Sequence, residues 1–337
     1  MSVLVSVVGG MNLDVTGVAA GALLPRDSNP GVIRFSPGGV GRNIAEQLAC
    51  AGADTRLFTC LSDDLVGKML EEDCARKKID LSFARRTHAR ASCYMSVHDP
   101  DGDMALAVND MALMDEMTTD YLSSALPEIA RADVCVLDAN LSPECLWFLA
   151  ENLRIPLVAD PVSVHKASRL LPILNRLAAI KPNRIEALSL ADRVSRGANG
   201  NGLAEMRKGC ASSVEHRSEI SDVRADRASR AEDGSELAGV EGREVEAAAA
   251  RLLAAGVRRC VLSLGARGAY YADRFQSGDL RPDRVFACQT TGAGDAMCAG
   301  IVLGVAMGLD ARGCAELGMK RSECLLAGRE AGEVNGG

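Results

Sequence analysis

The sequence predicts an α/β protein, with a central, mostly parallel sheet flanked by helices on both faces and a small antiparallel sheet as a lid. Three observations carry this prediction. Short runs rich in Val, Leu and Ile alternate with helical patterns along most of the chain, which is the signature of parallel strands joined by crossover helices. The runs lack polar–apolar alternation, so both faces of their sheet are covered. Two stretches break the rhythm: 32–36, and 91–108 around the turn Asp99-Pro100-Asp101-Gly102, a sequence that favours a hairpin.

In order, strands are predicted over 3–9, 55–61, 133–138, 156–160, 177–181 and 259–264. Helices are predicted over 41–51, 64–77, 143–152, 183–191, 244–255, 293–307 and 310–327. The lid is expected from about 23–37 and 91–108. The apolar start, Val3 to Val8, lacks a basic leader and is followed at once by Asn12 and Asp14, so it reads as a first strand and not as a signal peptide. Residues 196–243 carry eight Lys or Arg and nine Asp or Glu, no Phe, Trp or Tyr and only seven of Val, Ile, Leu and Met. Such a segment buries too little apolar surface to offset its ordering entropy, and is expected to be a disordered insertion. The 337 residues are then one domain, 1–337, lengthened internally.

Composition excludes several classes. Hydrophobic residues make up 47% of the chain, which excludes global disorder. A net charge of −7 with only 3% aromatic residues argues against a nucleic-acid partner, which needs a basic face or stacking rings. No apolar run approaches the ~20 residues that cross a bilayer. The 12 cysteines form no C-x-x-C pair and are expected to be free thiols, mostly buried, in the cytoplasm.

Three segments carry chemistry. In Thr290-Thr291-Gly292-Ala293-Gly294-Asp295, a strand over 285–288 is expected to run into a Gly-rich turn and a helix. Backbone N–H groups of Gly292, Ala293 and Gly294 at that helix start would form an anion hole. Asp295 beside it could accept a proton from an attacking hydroxyl; alternatively the Asp is a first-turn helix former. In Lys181-Pro182-Asn183-Arg184-Ile185-Glu186, Asn183 and Glu186 share a helical face and suit a hydrated Mg²⁺, or form a capping box. In Ser36-Pro37-Gly38-Gly39-Val40-Gly41-Arg42-Asn43, glycines admit a ligand to the backbone, and Asn43, with Asn12 and Asp14, offers groups for sugar hydroxyls. Neither a dinucleotide G-x-G-x-x-G nor a P-loop is present.

The order of these three motifs resembles the ribokinase, or PfkB-type, family of sugar and nucleoside kinases. The likeness runs from about residue 3 to 328 apart from the insertion. Gly10-Met11-Asn12-Leu13-Asp14, Asp27-Ser28-Asn29-Pro30-Gly31, Asn109-Asp110-Met111 and Asp160-Pro161-Val162-Ser163 look most like the family's pseudouridine-kinase branch. The resemblance implies a ribokinase-like fold and ATP-dependent phosphorylation of the ribose 5′-hydroxyl of pseudouridine. It implies Asp295 as base and Gly292, Ala293 and Gly294 as anion hole. Asn12, Asp14, Gly38, Gly39 and Asn43 would hold the ribose, and Ser28, Asn109 and Asp110 the base. Asn183, Ser263, Gly265, Gly268 and Gly294 would bind ATP, with Asn183 and Glu186 serving Mg²⁺. The lid implies a homodimer. Gln289 stands where many members carry an Asp for a monovalent cation, which leaves K⁺ activation open. The chain stops at Val334-Asn335-Gly336-Gly337, where relatives carry one more segment, so a shortened C-terminus is expected. The alternatives are a kinase for another nucleoside or sugar, or a nucleoside-binding regulatory protein on the same scaffold.

Overall fold

The computed structural model describes residues 2–198, 234–286 and 291–335. Its main sheet contains β1 (Leu4–Val8), β4 (Asp54–Phe58), β6 (Ile79–Asp80), β10 (Val134–Asp138), β11 (Leu157–Asp160), β12 (Leu177–Ile180), β13 (Arg259–Ser263), β14 (Ala269–Asp273) and β15 (Ser277–Leu280). Their order across the sheet is β15-β14-β13-β12-β11-β10-β1-β4-β6. All neighbours from β6 to β13 are parallel, and the β13–β14 and β14–β15 pairs close that edge antiparallel. A short parallel pair, β5 (Cys60–Ser62) and β7 (Arg85–Thr87), lies apart.

The unalternating apolar runs are explained by burial on both faces. Cys135 and Leu137 of β10 enter one core, with α3 (Thr119–Ile129), α4 (Pro143–Asn152), α5 (Val164–Ala167), α6 (Arg184–Ala198) and α7 (Gly234–Ala254). Val134 and Val136 of the same strand enter the other, with α1 (Val40–Cys50), α2 (Leu65–Arg76), α8 (Ala293–Ala306) and α9 (Ala311–Asn335). Leu, Val, Ile, Ala and Met fill these cores, as the scarcity of aromatic residues requires.

The second sheet, in the order β3-β2-β8-β9, joins β2 (Asn12–Ala19), β3 (Gly31–Gly38), β8 (Cys93–His98) and β9 (Met104–Asp110). Two antiparallel pairs, β2–β3 and β8–β9, meet through a parallel β2–β8 pair. The lid therefore begins at Asn12, whereas residues 23–30, assigned to it from the sequence, form a turn before β3. Asn29 ties that turn, accepting from Leu24 N and donating to Leu24 and Asp27 carbonyls.

Other boundaries also change. Residues 196–198 end α6 and 234–243 begin α7, which corrects the expected limits of the charged insertion; its middle lies outside the described residues. The strand expected over 285–288 is absent at Val285 and Phe286, which have no regular structure, and its remainder lies outside the description, as does Gln289. None of the described cysteines is paired, and seven are buried. Among the described residues no helix is long and apolar enough to cross a membrane.

Candidate active site

The strand order reverses between β1 and β10: the chain proceeds outward through β4 and β6 on one side and through β11 to β13 on the other. Ligands of open parallel sheets bind outside the carboxyl ends of the strands at such a reversal. The strand ends here deliver Gly9-Gly10 after β1, Asp138 at the end of β10, Asp160 at the end of β11 and Lys181 after β12.

Asp138 joins the glycine segments. Its Oδ2 accepts from Gly10 N at 2.8 Å and Gly41 N at 2.9 Å. Asn140 adds its own N–H at 2.9 Å and its Nδ2 at 3.0 Å. Complete burial pushes the Asp138 carboxyl up, and these donors oppose the shift. Gly39, with φ 95°, lies so close to β1 that a Cβ would sit 2.6 Å from Gly10 O. Only glycine tolerates both the conformation and the approach.

The catalytic candidate enters from α8. Gly292, in a left-handed conformation with φ 80°, is the N-cap, and no side chain caps the helix. The helix start therefore presents backbone N–H groups and the positive end of its dipole to a ligand. In this first turn Asp295 Oδ2 accepts from Asn43 Nδ2 at 3.0 Å. Burial and the nearby Asp160 charge push the Asp295 carboxyl up to about 7, against the opposing influence of Lys181 and Asn43. Lys181 Nζ pairs with Asp160 Oδ2 at 2.9 Å, both side chains being buried. Burial is the largest single influence on that ammonium and works against it, but the Asp160 charge and hydrogen bond, with Cys298 and Asp295, together hold the group above its ordinary range. A side chain at Gly294 would begin 3.0 Å from Lys181 Nζ, so a buried positive charge stands directly behind the helix start.

A cavity of about 390 Å³ adjoins α8 on one side, lined by Asn183, Ser263, Gly265, Gly268, Ala293 and Gly294, with Met297, Met319 and Leu326 as its apolar wall. All five residues assigned to ATP from the sequence are thus brought together. Asn183 and Glu186 form the reciprocal capping box: Asn183 Oδ1 accepts from Glu186 N at 2.9 Å, and Glu186 Oε2 accepts from Asn183 N at 2.8 Å. Burial raises the Glu186 carboxyl, with Asp160 adding to the shift. Among the described residues no group of three acidic, His or Cys side chains forms a metal cage. A hydrated Mg²⁺ held mainly by phosphates and water still fits, because one Glu186 oxygen remains beyond the cap.

On the other side lies the lid. Its register puts Asn12, Asp14, Ser36, Tyr94 and Asn109 on one face. Asn12 Nδ2 donates to Asp14 Oδ1 at 2.6 Å. Burial raises the Asp14 carboxyl, and the Arg42 charge, felt from α1, opposes that, so this face turns toward the body. Gly38 packs against the Asp14 carboxylate. Asp110 falls on the opposite face, 3.6 Å from Arg90, and accepts from Ala112 N. It thus lies apart from Asn109, since neighbours along a strand point opposite ways. Ser28 sits exposed in the 23–30 turn, its N–H bonded to Asp27, and among the described residues no hydrogen bond joins it to the other candidates.

Residues 3–206 and 230–334 match the model of the pfkB family carbohydrate kinases. The chain belongs to this family. It is 33% identical over 300 residues to the pseudouridine kinase of Escherichia coli, covering 88% of this chain and 82% of that one. It is 23% identical over 339 residues to the guanosine-inosine kinase of Exiguobacterium acetylicum, covering 98% and 96%. Its fold matches the structure of Arabidopsis thaliana ribokinase complexed with ribose and ATP, with a TM-score of 0.68 at 17% identity over 95% of this chain and 91% of that one. A PfkB kinase is a phosphotransferase, and the fold is ribokinase-like.

Sequence reasoning missed Asp138, Arg42 and Lys181 as parts of this arrangement. Lys181 opens the 181–186 segment, whose candidate ligands are its Asn and Glu. Asp138 carried a findable signal, a charged residue closing an otherwise apolar strand run.

Proposed function

We propose that the chain transfers the γ-phosphoryl group of ATP to the ribose 5′-hydroxyl of pseudouridine, giving pseudouridine 5′-phosphate. The observation that carries the reaction is Asp295, hydrogen-bonded to Asn43, at an uncapped helix start between the backbone-lined cavity and the polar lid face. The likeness to a pseudouridine kinase supports the acceptor.

In this reading ATP lies along Ser263, Gly265 and Gly268, with its phosphates toward Asn183 and Gly294. The ribose lies against Asn12, Asp14, Gly38, Gly39 and Asn43. Asn109 faces the base from the lid, and Ser28 reaches it if the 23–30 turn folds inward. The hydroxyl oxygen attacks the γ-phosphorus, the bond to ADP breaks, and the hydroxyl proton passes to Asp295. Charge on the moving phosphoryl group meets the N–H groups of Gly292, Ala293 and Gly294. Mg²⁺, next to Asn183 and Glu186, would neutralise phosphate charge. An acidic protein can bind ATP this way because the attraction is local: backbone dipoles, Lys181 and the ion.

Ile33, Phe35, Met95, Leu106 and Val108 share the other lid face, 42 to 67% exposed. An exposed apolar face of this kind suits burial against a second copy, and the reading includes a lid-to-lid homodimer working in the cytoplasm.

Purified protein with ATP and Mg²⁺ should form ADP far faster with pseudouridine than with uridine, ribose, adenosine, guanosine or inosine. Equal turnover across the panel would remove pseudouridine as the acceptor. Preference for a purine nucleoside would favour the second reading, which the full-length likeness to a guanosine-inosine kinase supports.

A further inference from the structure

Two hydrogen bonds decide which way round the Asn43 amide lies. Arg42 Nη1 donates to Asn43 Oδ1 at 3.0 Å, and a guanidinium can only donate. The amide nitrogen is therefore turned the other way, where Nδ2 meets Asp295 Oδ2 at 3.0 Å. Arg42 is itself held. It is 4% exposed, its Nη1 lies 2.5 Å from Glu46 Oε2 on α1, and its Nη2 is bonded to Asp73 Oδ2 on α2. Both acids have a second cation: Arg76 reaches Asp73 at 3.0 Å and Lys77 reaches Glu46 at 2.6 Å. Two helices thus grip one guanidinium from two sides, and its remaining directional contact is the Asn43 oxygen.

A buried charge cluster of this kind is a poor source of stability, because desolvation cancels most of the attraction. What it supplies is direction. A planar fork bonded to two carboxylates cannot turn, so the amide it touches cannot flip. The amide in turn fixes one oxygen of Asp295, Oδ2, and leaves Oδ1 outside that bond.

We infer that Arg42 is a positioning residue for phosphoryl transfer, acting through Asn43 to hold the Asp295 carboxylate in line with the acceptor hydroxyl. This rests on the kinase reading given above. Arg42 touches neither substrate directly, but Asn43 also faces the ribose in the kinase reading, so loss of Arg42 should appear chiefly in kcat and leave KM for ATP nearly unchanged.

The test is a double-mutant cycle on the full chain. Arg42→Lys keeps a cation for Asp73 and Glu46, but one ammonium cannot span both acids and the amide oxygen. Its kcat should fall about tenfold or more, since small misplacements of a reacting group are costly, with KM for ATP within about threefold. In an Asn43→Ala background, Arg42→Lys should cost nothing further in kcat, because the intermediary is gone. Asp73→Asn, which loosens the grip with Arg42 in place, should lower kcat in the same direction by less, and covers the case in which Arg42→Lys does not fold. Wild-type kcat in both Arg42→Lys and Asp73→Asn, or losses that multiply in the double variant, would overturn the inference. Failure of the kinase reading looks different: the parent chain would turn over no acceptor, or Asp295→Asn would keep full kcat.

Discussion

The carboxyl edge of the main sheet and the lid that projects over it differ in how their side chains are partnered. At the edge, Asp138, Asp160 and Lys181 are buried, and each is met by a donor or an opposite charge within 3.0 Å. On the outer lid face, Ile33, Phe35, Leu106 and Val108 are more than half exposed. A buried charge without its partner is costly, so the edge has one arrangement. An exposed apolar residue costs little by itself, so the outer lid face is not fixed by such pairing. In our reading the first region carries the chemistry, and the inner face of the lid, opposite these apolar residues, carries acceptor choice.

Asp295→Asn tests the edge and should have the largest effect. It removes both the base and a charge, so kcat should fall about 10²-fold or more, read by ADP release, while nucleoside binding persists. The parent kcat/KM should rise with pH through about 7 as Asp295 ionises, and this limb should vanish in the variant; an unchanged profile would assign the limb to another group.

Gly39→Ala tests the joint between the regions. A Cβ would meet the Gly10 backbone at 2.6 Å, at a φ of 95°. Destabilisation of about 1–3 kcal/mol is expected from the conformation alone, measured by denaturant unfolding. A variant as stable as the parent would show that the two glycine segments are not in close contact.

Phe35→Ser tests the lid and should have the smallest effect on the folded chain. Monomer stability should shift by no more than about 0.5 kcal/mol, while sedimentation should show weaker self-association. A dimer unaffected by the substitution would move the interface elsewhere.

Much of this fold was legible in the chain. The apolar runs at 133–138 and 259–264 became strands because apolar runs covered on both faces need no tertiary context to be recognised. Other elements were not legible. Strand β2 reads Asn-Leu-Asp-Val-Thr-Gly-Val-Ala: its Asp and Gly lower strand propensity, and pairing with both β3 and β8 overrides this. Helix α3 carries a Pro within it, and β14 and the edge strand β15 are short, with little pattern of their own.

The site divides in the same way. Gly292 to Asp295, the capping pair Asn183 and Glu186, and the glycines at 38, 39 and 41 are contiguous or near-contiguous strings, and spacing alone marks them. The sequence by itself therefore determined the strand–helix rhythm and the local motifs, because those depend on residues within a few positions of each other. Only the tertiary structure decided that Asp138 reaches Gly10 and Gly41 across 128 and 97 positions, that Asn43 meets Asp295 across 252, and that Tyr94 and Asn109 share a lid face with Asp14. These depend on strand order and register, which bring distant carboxyl ends to one edge and which no local pattern encodes.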